Sequence, residues 1–126
     1  MAKQFTLGSQ ERLKSRKSID QLFSDGQRLS QPPIRVVYRK TTDAGLKYGV
    51  TVSGKLFKKA VDRNRVKRVL REAWRLQKNE LEQQLSVKGQ GLHVFFIYTD
   101  KELPVFATIS KVTGTIIRKL NERING

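Results

Sequence analysis

Six polar side chains crowd into nine consecutive positions near the middle of the chain: Arg63, Asn64, Arg65, Lys67, Arg68 and Arg71. An arginine presents a planar fork of N–H donors that matches phosphate oxygens, a lysine adds a compact charge, and the Asn64 amide both donates and accepts. Together they suit the holding of a polyanion, because neutralising phosphates releases condensed counterions. A solvated helix with no partner normally mixes its signs so that acids and bases pair four residues apart. Here only Glu72 interrupts the basic run from Arg63 to Arg75, so the mutual repulsion needs a binding partner to explain it.

Other chemistries find little to work with. The chain has no cysteine, which excludes disulfides, thiol nucleophiles and thiolate metal sites. Its single histidine, His93, lies inside an apolar run and reads as a packed or edge side chain rather than a base or ligand. The acids Asp20, Asp25, Asp43, Asp62, Asp100 and Glu102 are scattered, with no spacing that marks a two-metal nuclease. Ser18 and Ser53 have no identifiable base, and no glycine-rich phosphate loop is present. The inventory is that of a binder.

Composition agrees. Twenty-six Lys and Arg against 11 Asp and Glu give a formal charge of +15 on 126 residues, with a pI near 10.6. That is the electrostatic footprint of a nucleic-acid-binding protein on a chain sized for one domain. Binding to a membrane surface would call for Trp and Phe along one face of an interfacial helix, whereas Trp74 shares its stripe with residues a core can use. The N-terminus from Met1 to Phe5 lacks the apolar core of a signal peptide, and no run is long enough to span a bilayer. The expectation is a cytoplasmic protein with no membrane partner.

The basic residues need a helix to hold them. Winding residues 60–85 as a helix puts Val66, Val69, Leu70, Ala73, Trp74 and Leu81 on one side, with Asn64, Lys67, Arg68, Arg71, Arg75 and Lys78 on an adjoining face. Ahead of it, Ser18 reads as the N-cap of a short helix carrying Ile19, Leu22 and Phe23 and stopped by Gly26. The stretch 1–17 reads as partly flexible. After the break at Pro32-Pro33, residues 34–40 and 47–53 alternate as strands, most simply an antiparallel hairpin turning at Thr42 to Gly45. Leu92 to Tyr98 is nearly continuously apolar, as a central strand buried on both faces would be. A last helix opens at Leu103-Pro104 and carries Phe106, Ile109, Val112, Ile116, Ile117, Leu120 and Ile124. Strand, long helix, strand predicts a parallel crossover with the helix on the sheet.

The order Ala60, Arg63-Asn64-Arg65, Val66-Lys67-Arg68 and Leu70-Arg71-Glu72 resembles the signature of the protein component of bacterial ribonuclease P. Arg12-Leu13, then Phe23 and Gly26, is similar to that family's opening pattern. The resemblance implies an α+β fold: a single two-layer domain of order α-β-β-β-α-β-α over residues 1–126, with helices packed on a four-stranded mixed sheet as in domain 2 of ribosomal protein S5. It implies a subunit of an endoribonuclease that removes the 5′ leader of precursor tRNA, with catalysis and Mg²⁺ residing in an RNA subunit. No cofactor is then bound by the protein alone. Carried over residue by residue, it implies that Arg63, Asn64, Arg65, Lys67, Arg68 and Arg71 contact the ribonuclease P RNA, one protein per RNA and monomeric in isolation. It assigns Phe23, Tyr38, Ile19 and Lys55 to the single-stranded leader of precursor tRNA, with Arg12, Lys14 and Lys59 as further basic contacts. This chain departs from the family in having Ile19 where a second aromatic commonly stands, and Gly54-Lys55 where paired lysines are usual. A ribosomal or chaperone-like RNA binder fits the charge alone equally well, and an independent nuclease is disfavoured by the residue inventory.

Overall fold

The structure, a computed structural model, describes residue 13, residues 16–42 and residues 45–125. Along the chain run α1 (Arg16–Asp25), β1 (Gln27–Gln31), β2 (Ile34–Thr41), β3 (Gly45–Val52), α2 (Ala60–Gln77), α3 (Asn79–Lys88), β4 (Gly91–Tyr98) and α4 (Phe106–Asn125). The four strands form one mixed sheet in the order β1-β2-β4-β3. Strand β4 pairs antiparallel with β2 and parallel with β3, so α2 and α3 together make the expected parallel crossover.

The expected hairpin between residues 34–40 and 47–53 does not form. Leu92, Val94, Phe96 and Tyr98 are buried on one face of β4 and Phe95 on the other, and a strand that apolar is best satisfied between two neighbours. It therefore takes the central slot and separates β2 from β3. The hairpin partner of β2 is instead β1, joined to it through Pro32-Pro33, with Leu29 opposite Val36 and Gln27 opposite Tyr38. Gln27–Gln31 has one buried residue, Leu29, and no β-branched side chain, so its strand character comes from pairing at the sheet edge.

Two apolar clusters lie on opposite faces of the sheet. The larger packs Ile34, Val36, Tyr38, Tyr48, Val94 and Phe96 beneath α2, α3 and α4. The smaller joins Val37 and Phe95 to Leu13 and Leu22, with Ile19, Phe23 and Ile97 against its margin. Thus α2 to α4 form the helical layer, and among the described helices only α1 packs on the other face. Helix α1 begins at Arg16, ahead of the Ser18 cap read from the sequence, and buried Leu13 donates its N–H to Tyr48 O at 2.9 Å, along the outer edge of β3. A side chain at Gly49 would collide with the Phe95 ring, so glycine here keeps Phe95 seated under α1.

The long helix breaks at Lys78. This corrects the placement of Lys78 on the basic face: its side chain is 1% exposed, and its ammonium lies 3.6 Å from a Glu82 carboxylate oxygen. Beside it the Gln77 amide donates to Ser110 O at 2.9 Å, tying the break to α4. Gly89, at φ 63°, closes α3 in the left-handed conformation that glycine adopts without penalty.

Burial of two tyrosines gives the fold a pH dependence. Burial pushes the Tyr48 hydroxyl well above its ordinary range, partly opposed by the Arg71 charge. Tyr98 is pushed up to about 12, by burial first and then by Asp100 and Glu102. The folded state thus favours the neutral phenols, while the unfolded chain releases these protons near pH 10. The Tyr98 contribution is complete below about pH 10 and is lost as pH rises through 10 toward 12, and that of Tyr48 is likewise lost as pH rises above about 10. Denaturant midpoints measured against pH should fall in that window, less steeply in Tyr48→Phe and Tyr98→Phe; an unchanged slope in both would refute the assignment.

Candidate nucleic-acid interface

Helix α2 starts without a side-chain cap, since Lys59 in extended conformation (φ −82°, ψ 130°) has none to offer. Its first N–H groups therefore face outward, where an anion is favoured. Asn64, Arg65 and Arg68 are exposed and Lys67 and Arg71 half-buried along its flank, while Val66, Leu70, Ala73 and Trp74 are buried beneath. Arg75 spends its guanidinium on Glu72, with Nε 3.3 Å from Oε2. Arg71 lies near the buried Tyr48 hydroxyl, which itself donates to Leu70 O at 3.3 Å. The basic surface of α2 is thus concentrated in its N-terminal half.

The loop entering α2 carries Lys55, Lys58 and Lys59, all exposed. Arg63 is placed differently from its neighbours. It is half-buried, and its Nη1 donates to Phe57 O and to Lys58 O, both at 2.8 Å. Arg12 and Lys14 lie outside the described residues.

On the opposite face of the sheet a groove of about 400 Å³ is lined by Arg28, Ser30, Arg35, Val37, Ile97 and Thr99, and Val37 and Ile97 belong to the cluster on which α1 packs. Half-buried Phe23 stands edge-on to Phe95, their ring centres 5.2 Å apart, and Ile19 packs on the same cluster. The Arg28 guanidinium donates to Phe23 O at 3.2 Å. By register Arg35, Ile97 and Thr51 lie abreast, one residue from where β3 leaves into the Lys55 loop. Basic loop and groove therefore lie toward the same end of the sheet.

Tyr38 does not join Phe23. It is buried on the α4 side, where its hydroxyl donates to Gln27 Oε1 at 2.8 Å and accepts from Arg123 Nη1 at 2.6 Å, the guanidinium lying 5.6 Å from its ring centre. Strand parity explains the separation: Val36 and Tyr38 share one face, Arg35 and Val37 the other. The groove residues that sequence reasoning passed over, Arg28, Arg35 and Ile97, carry that same parity signal. Arg28 could be reached only by recognising β1. Arg39 and Lys47, both beside His93 in the register, add charge further along this face.

A mixed sheet with a basic helix end on one side and an arginine-flanked groove on the other defines a basic α+β RNA-binding protein. Residues 7–120 match the family model described as Ribonuclease P. The ribonuclease P protein component of Porphyromonas gingivalis is 38% identical over 110 residues, covering 85% of this chain and 80% of that protein. The solved ribonuclease P protein of Thermotoga maritima superposes with a TM-score of 0.69 at 26% identity, covering 86% of this chain and 96% of that one. The Staphylococcus aureus protein gives 0.69 at 19% identity, covering 87% and 94%. The chain belongs to the ribonuclease P protein family, the protein components of the endoribonuclease that removes 5′ leaders from precursor tRNA.

Proposed function

We propose that this chain binds the ribonuclease P RNA through the N-terminal half of α2 and holds the leader of precursor tRNA in the groove beside α1. The observation that carries this reading is the pair of surfaces that lie toward the Lys55 end of the sheet. On one side Asn64, Arg65, Lys67, Arg68 and Arg71, with Lys59, form a rim almost free of acids and suited to folded RNA phosphates. On the other, Phe23 and Ile19 border an apolar floor flanked by Arg28 and Arg35, suited to a single strand whose bases are free to stack. In this reading Tyr38 supports the sheet from the far side and takes no part in leader contact. The complex holds one protein per RNA, the isolated protein is a monomer, and the assembly works in the cytoplasm. Mg²⁺ belongs with the RNA, where the cleavage chemistry resides. The described residues bring no three His, Cys, Asp or Glu side chains together as a metal site.

The test is reconstitution. Precursor tRNA incubated with the protein, with a ribonuclease P RNA, and with both should be cleaved at the mature 5′ end most efficiently by the pair and not by the protein alone. Cleavage by purified protein alone would reject the reading.

The groove has its own test. Phe23→Leu keeps apolar bulk against Phe95 but removes the ring, and an aromatic contact to an unpaired base is worth roughly 1 to 3 kcal/mol. Affinity of the reconstituted complex for precursor tRNA should fall by about that amount, with mature tRNA binding unchanged. Parallel losses for both ligands, or no loss for either, would remove Phe23 from the leader site.

A further inference from the structure

We infer that Arg63, though it stands within the basic cluster, is a positioning residue that fastens the lysine-bearing loop to the start of α2 rather than a phosphate contact. The inference deepens the proposed RNA-binding role of α2 and rests on it. The loop from Ser53 to Lys59 has three fastenings. At its start the N–H groups of Leu56 and Phe57 both donate to Ser53 O, at 3.1 and 3.3 Å, and Lys55 N–H donates to Ser53 Oγ at 3.1 Å. In its middle, buried Phe57 sets its ring 6.2 Å from that of Tyr98. At its end, no side chain caps α2, and the last two loop carbonyls before Lys59 are taken instead by Arg63 Nη1. One nitrogen carries two hydrogens, and each finds a carbonyl at 2.8 Å.

The placement has an electrostatic consequence. Lys58, Lys59 and Arg63 would repel one another if all three projected to solvent. Turning the Arg63 guanidinium back onto two carbonyl dipoles satisfies it locally, and holds the backbone that carries Lys58 and Lys59 against the start of α2 before any RNA arrives. Charges fixed in advance bind a polyanion more tightly than the same charges on a loose loop, because less ordering remains to be done on binding. Arginine suits the role, its fork being rigid where a lysine ammonium sits on a flexible stem.

Hydrogen exchange of the free protein separates positioning from contact, since a residue that only touches RNA leaves the free loop unaffected. In Arg63→Ala the amides of Leu56 and Phe57 should exchange about tenfold faster or more, the scale set by losing hydrogen bonds from a charged donor. Arg63→Lys, which keeps charge and several donors on one nitrogen, should fall between the two. Arg68→Ala should leave these amides as in the wild type. Binding of ribonuclease P RNA at several salt concentrations completes the test. Arg63→Ala should bind more weakly, with Arg63→Lys partly rescued, and Arg68→Ala should flatten the salt slope by roughly one unit. Wild-type exchange in Arg63→Ala, coupled with a flattened slope like that of Arg68→Ala, would overturn the inference and make Arg63 a phosphate contact. Faster exchange in Arg63→Ala, with RNA affinity unchanged in every variant including Arg68→Ala, would leave the fastening in place and overturn the RNA-binding role of α2. Should Arg63→Ala unfold outright, the exchange and binding of Arg63→Lys decide between the same outcomes.

Discussion

Trp74→Ala should lower the unfolding free energy by about 3 to 5 kcal/mol, the usual cost of truncating a large buried aromatic. Trp74 is fully buried and stacks on Tyr48, with ring centres 4.4 Å apart and planes 5° from parallel. Phe96 meets the same pair edge-on, 5.4 Å from Trp74 and 5.0 Å from Tyr48. Removing the indole therefore empties a site bounded by two other rings and the α2 backbone, and those walls cannot collapse without shifting β3 or β4. A domain of this size has about 5 to 15 kcal/mol of stability in all, so the loss is a large share. Urea unfolding by circular dichroism measures it directly, and Trp74→Phe, which retains a ring to stack, should lose clearly less. Efficient quenching of native Trp74 fluorescence by acrylamide, or a loss under 1 kcal/mol on truncation to Ala, would show that this ring is not the seat of α2 on the sheet.

That stack also links fold to site, because the helix that buries Trp74 on one side presents Arg65 and Arg68 on the other. This coupling was legible in the sequence. Val66, Leu70, Ala73 and Trp74 recur at helical spacing with the basic residues offset from them, and all four are buried. The apolar run of β4 likewise marked it as central. What could not be read was pairing. Nothing local in Ile34–Thr41 or Gly45–Val52 says that a third strand, beginning only at Gly91, will come between them. The polar edge strand β1 left almost no signal at all. Tyr38 and Phe23 lie on opposite faces for a simpler reason: strand parity puts Tyr38 with Val36 and leaves Val37 and Arg35 for the other face. Lys78 departs from the helical winding because the helix breaks there and turns its side chain inward, toward Glu82.

Replacing Arg65, Lys67 and Arg68 together by alanine should weaken binding to ribonuclease P RNA by about a hundredfold at moderate salt while leaving the fold intact. Hydrogen bonds between charged groups contribute about 1.5 to 3 kcal/mol each. On a largely exposed rim, solvent and salt reduce this to about 1 kcal/mol per residue, and three such losses amount to about two decades in affinity. The salt dependence should change with it, the slope of log affinity against log salt flattening by roughly 2 to 3 units for three lost phosphate contacts. Stability should hold or rise, since alanine is the better helix former at exposed positions and the substitutions relieve repulsion within the acid-poor rim. Fluorescence titration of labelled RNA across a salt series, with a thermal melt of each protein, supplies all three quantities. A fall in affinity with an unaltered salt slope would mean that these side chains act through something other than phosphate, and full affinity in the triple variant would move the RNA interface off α2 altogether.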